Sequence, residues 1–274
     1  MMRLIERFFS FYVFSNIHVA LSTSCLVLLT LKPYQLRDDR SVWFVFCGTV
    51  LAYNFIRVVQ MERLYPSLSN WMRSSRSWLL ALNAVALLGS IYWALKFSWG
   101  DLVFIIPFFL LTLFYVVPSR GSLRGLRNLP GFKLFLIAAV WAGVTVLFPV
   151  WVNELSFDGK VWVVLVQRFL IVLAITIPFD IRDLQLDDPD LATLPQTIGV
   201  GKSKLLALGA LLGFSLLFFY GDFFQAWEQW SGLAAAAVSG GFILKSGVYQ
   251  SRFYRGFWVE GIPMLWLALS VALT

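Results

Sequence analysis

The sequence has few charged residues and few cysteines, and both shortages narrow the class of protein. Only 14% of its 274 residues are charged, whereas 59% are hydrophobic, and the mean hydropathy is +0.76. A soluble globular chain of this length does not reach such values. The two cysteines, Cys25 and Cys47, lie in apolar segments without a spaced partner, so they indicate neither a disulfide framework nor a metal knuckle. The composition predicts an integral membrane protein.

Two further absences bear on the architecture. Arg3 and Arg7 precede an apolar run, but no small-residue cleavage site follows, so we expect a retained helix and not a signal peptide. No segment alternates as a membrane β-strand of about ten residues would. The connections between apolar segments are short and leave no room for a soluble domain. We therefore predict an all-α fold with residues 1–274 in a single transmembrane domain.

The apolar residues fall into about nine segments, each near the roughly 20 residues with which a helix crosses a bilayer. The segments span approximately residues 11–31, 41–60, 78–95, 101–118, 133–152, 161–180, 203–220, 229–245 and 256–273. This pattern predicts a polytopic membrane protein of about nine transmembrane helices.

Lysine and arginine are distributed unevenly over the connections. With the N-terminus inside, most of them fall on the inner side, and the outer side holds Lys32, Arg37, Arg40, Lys96 and Lys160. The positive-inside rule then predicts a cytoplasmic N-terminus, and we expect the bacterial inner membrane as the location. Contacts with anionic membrane lipids account for many of the inner bases. Arg168 lies inside the sixth segment, and we expect its long side chain to snorkel to the interface.

Acidic residues concentrate where the sixth segment ends. If its helix continues for a turn or two, Asp180, Asp183 and Asp187 share one face, because they follow each other at steps of three and four. The only base within this run is Arg182, so we expect a divalent cation to relieve the repulsion between the carboxylates. Carboxylates completed by water and phosphate oxygens are the usual ligands of Mg²⁺. The run predicts a Mg²⁺ and diphosphate site at the cytoplasmic surface.

A dense basic connection, residues 118–133, lies on the same predicted side. Arg124 and Arg127 are three residues apart there, and guanidinium groups suit the bidentate binding of a diphosphate. A topology signal remains the alternative explanation for any single base in this connection.

The acidic run and its surroundings resemble a known family. Asp180-Ile-Arg-Asp183-Leu-Gln-Leu-Asp187 is followed by Thr193-Leu194-Pro195 and Gly199, and the fourth segment ends in Tyr115-Val-Val-Pro118. The stretch from Asp180 to Gly199 is similar to the second Asp-rich motif, approximately D-x-x-x-D, of the UbiA superfamily of intramembrane prenyltransferases. The end of the fourth segment also resembles that family. The resemblance implies about nine transmembrane helices around a central cavity and prenyl transfer with Mg²⁺. It also implies roles for individual residues: Asp183 and Asp187 as Mg²⁺ ligands, Asp180 assisting them in catalysis, and Arg120, Arg124, Lys133 and Tyr115 as candidates at the substrate diphosphate.

The first Asp-rich motif of the family, approximately N-D-x-x-D-x-x-x-D, is only partly present. Asn54 is retained and Glu62 replaces the last aspartate, but Phe55 and Val58 occupy two carboxylate positions. The resemblance therefore implies one Mg²⁺ instead of two, with Glu62 as a ligand and Asn54 at the diphosphate. Arg57 would neutralise phosphate charge as a fixed cation.

The predicted activity is Mg²⁺-dependent transfer of a prenyl group from an isoprenyl diphosphate donor to a lipophilic acceptor within the membrane. We expect no nucleic-acid partner. The alternative is a catalytically silent UbiA-like protein that binds a prenyl lipid or partner membrane proteins. Three polar residues inside spans, Asn16, His18 and Asn83, either line the cavity or form hydrogen bonds between helices.

Overall fold

Helices make up all of the regular structure in the part of the chain that the computed structural model describes, residues 2–59, 66–116, 131–185, 193–251 and 253–274. Numbered in chain order, the helices are α1 (Met2–Phe14), α2 (Ile17–Leu31), α3 (Asp39–Val59), α4 (Pro66–Ser74), α5 (Arg76–Ala94), α6 (Trp99–Val116), α7 (Phe132–Val152), α8 (Gly159–Asp183), α9 (Leu194–Leu216), α10 (Ala226–Lys245) and α11 (Ile262–Ala272).

Six of the described helices are long and apolar enough to cross a membrane. They span Ile17–Tyr34, Asp39–Val59, Arg76–Ala94, Phe132–Val152, Gly159–Asp183 and Leu194–Phe219. On α5, Leu80, Val85 and Leu88 each expose more than half of their surface, which an aqueous surrounding would disfavour and lipid would not. The structure therefore confirms an all-helical fold over the residues that it describes, with the features of an integral membrane protein.

The first predicted segment differs from the observed helices. The hydropathy pattern predicts one helix over residues 11–31, but α1 ends at Phe14 and α2 begins at Ile17. Between them Asn16 adopts the left-handed conformation, with φ of 69°, which asparagine tolerates better than most residues. Its Nδ2 donates a hydrogen bond of 2.7 Å to Asn54 Oδ1 on α3. A tertiary contact accompanies this break, and hydropathy carries no information about it.

The long helices form a ring of neighbouring pairs. α2 packs on α3 and α11, α7 packs on α8, α8 on α9, α9 on α10, and α10 on α11. α6 contacts both α3 and α7 and so completes the ring, while α5 packs against α3. One side of this ring encloses the candidate site.

Two stretches of helix are wound more loosely than an α-helix. Gly143–Leu147 within α7 and Tyr254–Val259 before α11 form π-helical turns, a feature that is frequent at functional sites. At the first turn α6 and α7 approach closely, because a Cβ added at Gly143 would lie 1.9 Å from Phe108 Cε1. Both turns contribute residues to the same cavity.

Arg168 is placed differently from its prediction. Its side chain does not snorkel to an interface, because the residue is only 1% exposed and its guanidinium contacts α2 and α7 inside the bundle. Neutral hydrogen-bond acceptors inside the bundle hold the charge there.

Candidate functional site

A large cavity of about 850 Å³ lies between α3, α6 and α7 and reaches the end of α8. This volume falls within the roughly 300–1,000 Å³ typical of small-molecule sites. Most of its wall is apolar, and aromatic rings recur in it, including Phe44, Phe55, Phe108, Phe109, Trp141 and Phe179. A wall of this kind suits a long hydrocarbon chain.

Three arginines line one end of the large cavity. Arg57 comes from the last turn of α3, Arg182 from the last turn of α8, and Arg255 from the π-helical turn before α11. We refer to these three residues as the arginine cluster. Chain segments far apart in sequence supply them, so their convergence is a property of the fold. The arrangement places anion-binding groups at one end of an apolar chamber.

Main-chain and carboxylate oxygens hold the arginines of the cluster in place. Arg57 Nη1 donates to the main-chain oxygen of Phe14, where α1 ends. Arg182 forms an ion pair with Asp183, and Arg255 Nη1 lies 3.7 Å from the other carboxylate oxygen of Asp183. The guanidinium of Arg255 also lies 5.3 Å from the ring centroid of Phe179, in cation–π geometry.

The acidic residues at this end of α8 are paired with bases from distant elements. Lys133, in the first turn of α7, lies 3.1 Å from Asp180 Oδ1, and the Asp180 side chain is only 1% exposed. Asp183 is shared by Arg182 and Arg255. We expected only Arg182 to be available as a base because it alone is close in sequence. The fold supplies Lys133 and Arg255 in addition.

A further carboxylate, Glu260, lines the cavity at the same end. It caps the π-helical turn, where its main-chain N–H donates to Arg255 O at 2.9 Å. Ser22 on α2 donates a hydrogen bond to the main-chain oxygen of Glu260 and so ties this turn to the ring of helices. The carboxylate lies in the electrostatic field of Arg57 and Arg182.

The described residues do not by themselves form a Mg²⁺ site. No group of three or more histidine, cysteine or acidic side chains with metal-binding geometry occurs among them. Both oxygens of Asp183 already face guanidinium groups. A metal site would draw on Asp187 and Glu62, which lie outside the described residues together with Arg120 and Arg124.

Two of the other predicted diphosphate residues lie near the candidate site. Lys133 contacts Asp180 at the acidic end of α8, and Arg57 lines the large cavity. Asn54 is 4% exposed and belongs to a ladder of amides: it accepts from Asn16 and its Nδ2 donates 3.1 Å to Asn83 Oδ1. This ladder ties the start of α2 to α3 and α5, so Asn54 is engaged in helix packing. The backbone of Tyr115 lies in α6, and its side chain is outside the described ones.

The polar residues of the first span also serve packing. His18 Nδ1 lies 2.8 Å from the Tyr12 hydroxyl, and Nε2 lies 2.9 Å from the main-chain oxygen of Phe257. Asn16 and Asn83 belong to the amide ladder. None of these three residues lines the large cavity among the residues described. Hydrogen bonding between packed elements is the interpretation that the structure favours.

Sequence reasoning missed Arg255, Glu260 and Tyr53. Tyr53 lines the cavity one turn before Arg57, and its hydroxyl accepts a hydrogen bond of 3.2 Å from Trp141 Nε1. Arg255 lies in a predicted inner connection, where the positive-inside rule accounts for a base without any role in a site. Glu260 had a usable signal, since it is the one carboxylate in the last apolar segment.

Comparison with protein-family models, with curated proteins and with solved structures gives no match.

Proposed function

We propose that this protein is an intramembrane prenyltransferase that takes an isoprenyl diphosphate as donor and a lipophilic molecule as acceptor. The observation that carries the proposal is that one cavity combines an apolar wall with a group of basic side chains. An apolar, aromatic chamber of about 850 Å³ ends at three convergent arginines. A prenyl chain fits the first feature and a diphosphate fits the second. The resemblance of residues 180–199 to the UbiA superfamily points to the same chemistry independently.

In the proposed reaction, the bond between the allylic C1 and the diphosphate oxygen breaks, and its electron pair leaves with the diphosphate. Arg57, Arg182 and Arg255 stabilise the negative charge that develops on this leaving group. Guanidinium groups offer paired donors that match phosphate oxygens. Asp183 orients Arg182 and Arg255 through the ion pairs that it forms with both.

The allylic cation then forms a bond to the nucleophilic atom of the acceptor, which loses a proton. The aromatic wall excludes water from the cation, and the faces of aromatic rings in this wall stabilise its charge. Glu260 is the acidic residue that lines this end of the cavity in the part of the chain that the structure describes, and we assign it the role of proton acceptor. The products are the prenylated acceptor, diphosphate and one proton.

Mg²⁺ is part of the proposal, and Asp183, Asp187 and Glu62 would be its protein ligands. When bound, it supplies further positive charge to the leaving diphosphate. We also propose that α6, α10 and the stretch from Tyr254 to Ala272 cross the membrane in addition to the six helices named above, which gives nine spans. The acidic end of α8 would then face the cytoplasm.

The experiment that tests the activity uses membranes that contain the protein, labelled isoprenyl diphosphates of several lengths, Mg²⁺ and a host lipid extract. We expect a labelled lipid product that requires Mg²⁺ and is lost in Asp183→Ala and Glu260→Gln. Lys202→Gln is the matched control, since Lys202 is exposed on α9 and does not line the cavity. A folded protein that gives no product from any donor would refute the proposed activity.

A non-catalytic prenyl-lipid binding protein is the second candidate. Two observations favour it: Phe55 and Val58 replace carboxylates of the first motif, and Asp180 and Asp183 are engaged by basic side chains. Such a protein would bind an isoprenyl diphosphate at the arginine cluster and release it unchanged. Binding without turnover in the experiment above would identify it.

A further inference from the structure

A second charged site lies inside the ring of helices, centred on Arg168 of α8. Its Nη1 donates to Leu26 O at 2.7 Å and to Thr145 Oγ1 at 3.3 Å, and its Nη2 donates to Thr30 Oγ1 at 3.3 Å. The guanidinium also lies 5.4 Å from the ring centroid of Trp266. All of these partners are neutral. The Nε–H is buried without a hydrogen-bond partner.

The positive charge of Arg168 is not compensated within the described part of the chain. No carboxylate lies within 4.0 Å of its guanidinium there. The residue is 1% exposed and belongs to a helix that is apolar enough to cross a membrane. An ionised group in such a place is costly unless a counter-charge accompanies it, and intramembrane ionised groups commonly mark functional sites.

The acidic residue that shares a cavity wall with Arg168 among the described residues is already engaged. Glu228 lies 3.0 Å from Lys160 Nζ, and its Oε2 accepts a hydrogen bond of 2.9 Å from the main-chain N–H of Gln225. Lys160 is eight residues before Arg168 on α8, which corresponds to about 12 Å along the helix axis. The Lys160–Glu228 pair therefore neutralises itself, and the charge of Arg168 remains.

A small cavity of about 40 Å³ adjoins Arg168. Its wall includes Arg168, Gln167, Thr30, Lys160, Glu228 and Trp266. The charges in this wall are two positive and one negative, so a net charge of +1 faces the cavity. Its volume is about three times the roughly 10–15 Å³ that one water requires. A lipid headgroup or a diphosphate is too large for this space, whereas a halide ion with a water molecule fits.

We propose that Arg168 and the small cavity bind a small monovalent anion of halide size. The anion supplies the counter-charge that the described residues lack, beside Arg168 in the wall of the small cavity. The inference is independent of the proposed prenyl transfer, because the small cavity shares neither the arginine cluster nor Glu260 with the large one.

The experiment measures the thermal unfolding midpoint of the purified protein in sodium chloride and in sodium gluconate at equal ionic strength. An anion that binds only the folded state raises the unfolding midpoint. Once its concentration exceeds the dissociation constant, the rise grows with the logarithm of that concentration. We expect a rise of a few degrees in chloride and a similar rise in bromide. Crystals grown in bromide would show an anomalous scattering peak beside Arg168.

Three variants separate this site from general salt effects. Arg168→Met removes the charge at similar length and should abolish the difference between chloride and gluconate. Arg168→Lys keeps a charge and should retain the difference with weaker affinity, which also covers the case in which the methionine variant does not fold. Lys96→Gln removes an exposed cation between α5 and α6 and should behave as the native protein does. Equal midpoints of the native protein in both salts, or an unchanged chloride effect in Arg168→Met, would overturn the proposal.

Discussion

The arginine cluster and Arg168 show two ways in which one membrane protein holds guanidinium groups. At the cluster, Asp183 and Glu260 accompany the arginines, and the groups face a cavity of about 850 Å³. Arg168 instead contacts main-chain and hydroxyl oxygens and adjoins about 40 Å³. The first arrangement suits a large anionic ligand that comes and goes, and the second suits a small ion that stays. Residue type alone therefore does not distinguish the two proposed roles. The cavity volume beside each guanidinium and the acidic residues around it do.

The largest effect is expected from the arginine cluster. If the proposed prenyl transfer takes place, Arg182→Gln removes a fixed positive charge that lies beside the leaving diphosphate. The variant should then lower kcat/KM by about 100-fold, as loss of one preorganised donor does elsewhere. Steady-state rates with a labelled donor measure this effect. Lys202→Gln, outside the cavity, should keep the native value. A native rate in Arg182→Gln would show that the arginine cluster takes no part in the reaction.

The next largest effect is on stability, and it distinguishes a basic residue that has an acidic partner from a basic residue that has none among the described residues. Lys133→Met takes away a cationic partner of the buried Asp180 carboxylate and should destabilise the protein by about 3 kcal/mol. Arg168→Met should cost far less, because Thr30 and Thr145 keep the hydrogen bonds that they donate to Leu26 O and Trp141 O. Reversible unfolding in mixed micelles would measure both changes in the free energy of unfolding.

A double variant sharpens that comparison. Lys133→Met combined with Asp180→Leu removes both charges and should recover most of the stability lost in Lys133→Met alone. If Lys133→Met and Arg168→Met cost the same, the distinction between compensated and uncompensated charges drawn above would be wrong.

Alanine variants of two glycines in the cavity wall test whether the shape of the large cavity determines the length of the prenyl donor. In Gly143→Ala the new Cβ would overlap Phe108, which lines the cavity, so the ring must move. We expect a loss of about 1–3 kcal/mol in stability and a preference for shorter prenyl donors. Gly48 also lines the cavity, but a Cβ there meets nothing within 4 Å, so Gly48→Ala is the matched control. Competition between donors of different length measures the preference, and identical profiles for both variants would contradict this account of the wall.

The smallest effect concerns Asp38, a buried carboxylate just before α3. Burial alone would raise the pKa of Asp38, but hydrogen bonds from Arg40, Ser41 and Asn153 and the charge of Arg40 outweigh it, so the pKa lies below its ordinary value. A lowered pKa in the folded state stabilises the protein above the unfolded pKa of about 3.9, and this contribution disappears as the pH falls through the folded pKa.

Asp38→Asn should therefore cost about 1–2 kcal/mol at pH 7 and progressively less below pH 4. Thermal unfolding from pH 7 to pH 3 measures the difference between the variant and the native protein. A difference that stays constant over this range would show that the charge of Asp38 contributes nothing to stability.

The sequence predicts the class of fold well, because hydropathy over about 20 residues directly reflects transfer into lipid. The break at Asn16 and the π-helical turns at Gly143–Leu147 and Tyr254–Val259 are not predictable in this way. Two of these features occur where helices meet, at the hydrogen bond between Asn16 and Asn54 and at the close approach of Phe108 to Gly143, and hydropathy does not report such contacts.

The candidate site is predictable only where its residues are close in sequence. Asp180 and Asp183 are evident because they cluster at the end of one helix. Their partners Lys133 and Arg255 come from other elements, so neither pairing could be inferred from spacing. Arg168 illustrates the opposite error: its position within a span suggested a snorkelling side chain, but the local threonines and the Leu26 carbonyl retain it inside.

The measurement that tests the central claim most directly is the calorimetric titration of the purified protein with an isoprenyl thiodiphosphate. In this anionic analogue the bond between the prenyl carbon and sulfur does not break. The account predicts saturable binding at one site, weakened at least tenfold in Arg255→Gln and unchanged in Lys202→Gln, with the corresponding prenyl alcohol binding much more weakly. Equal affinity for the alcohol and the thiodiphosphate, or undiminished binding in Arg255→Gln, would show that the arginine cluster and the large cavity do not form one site.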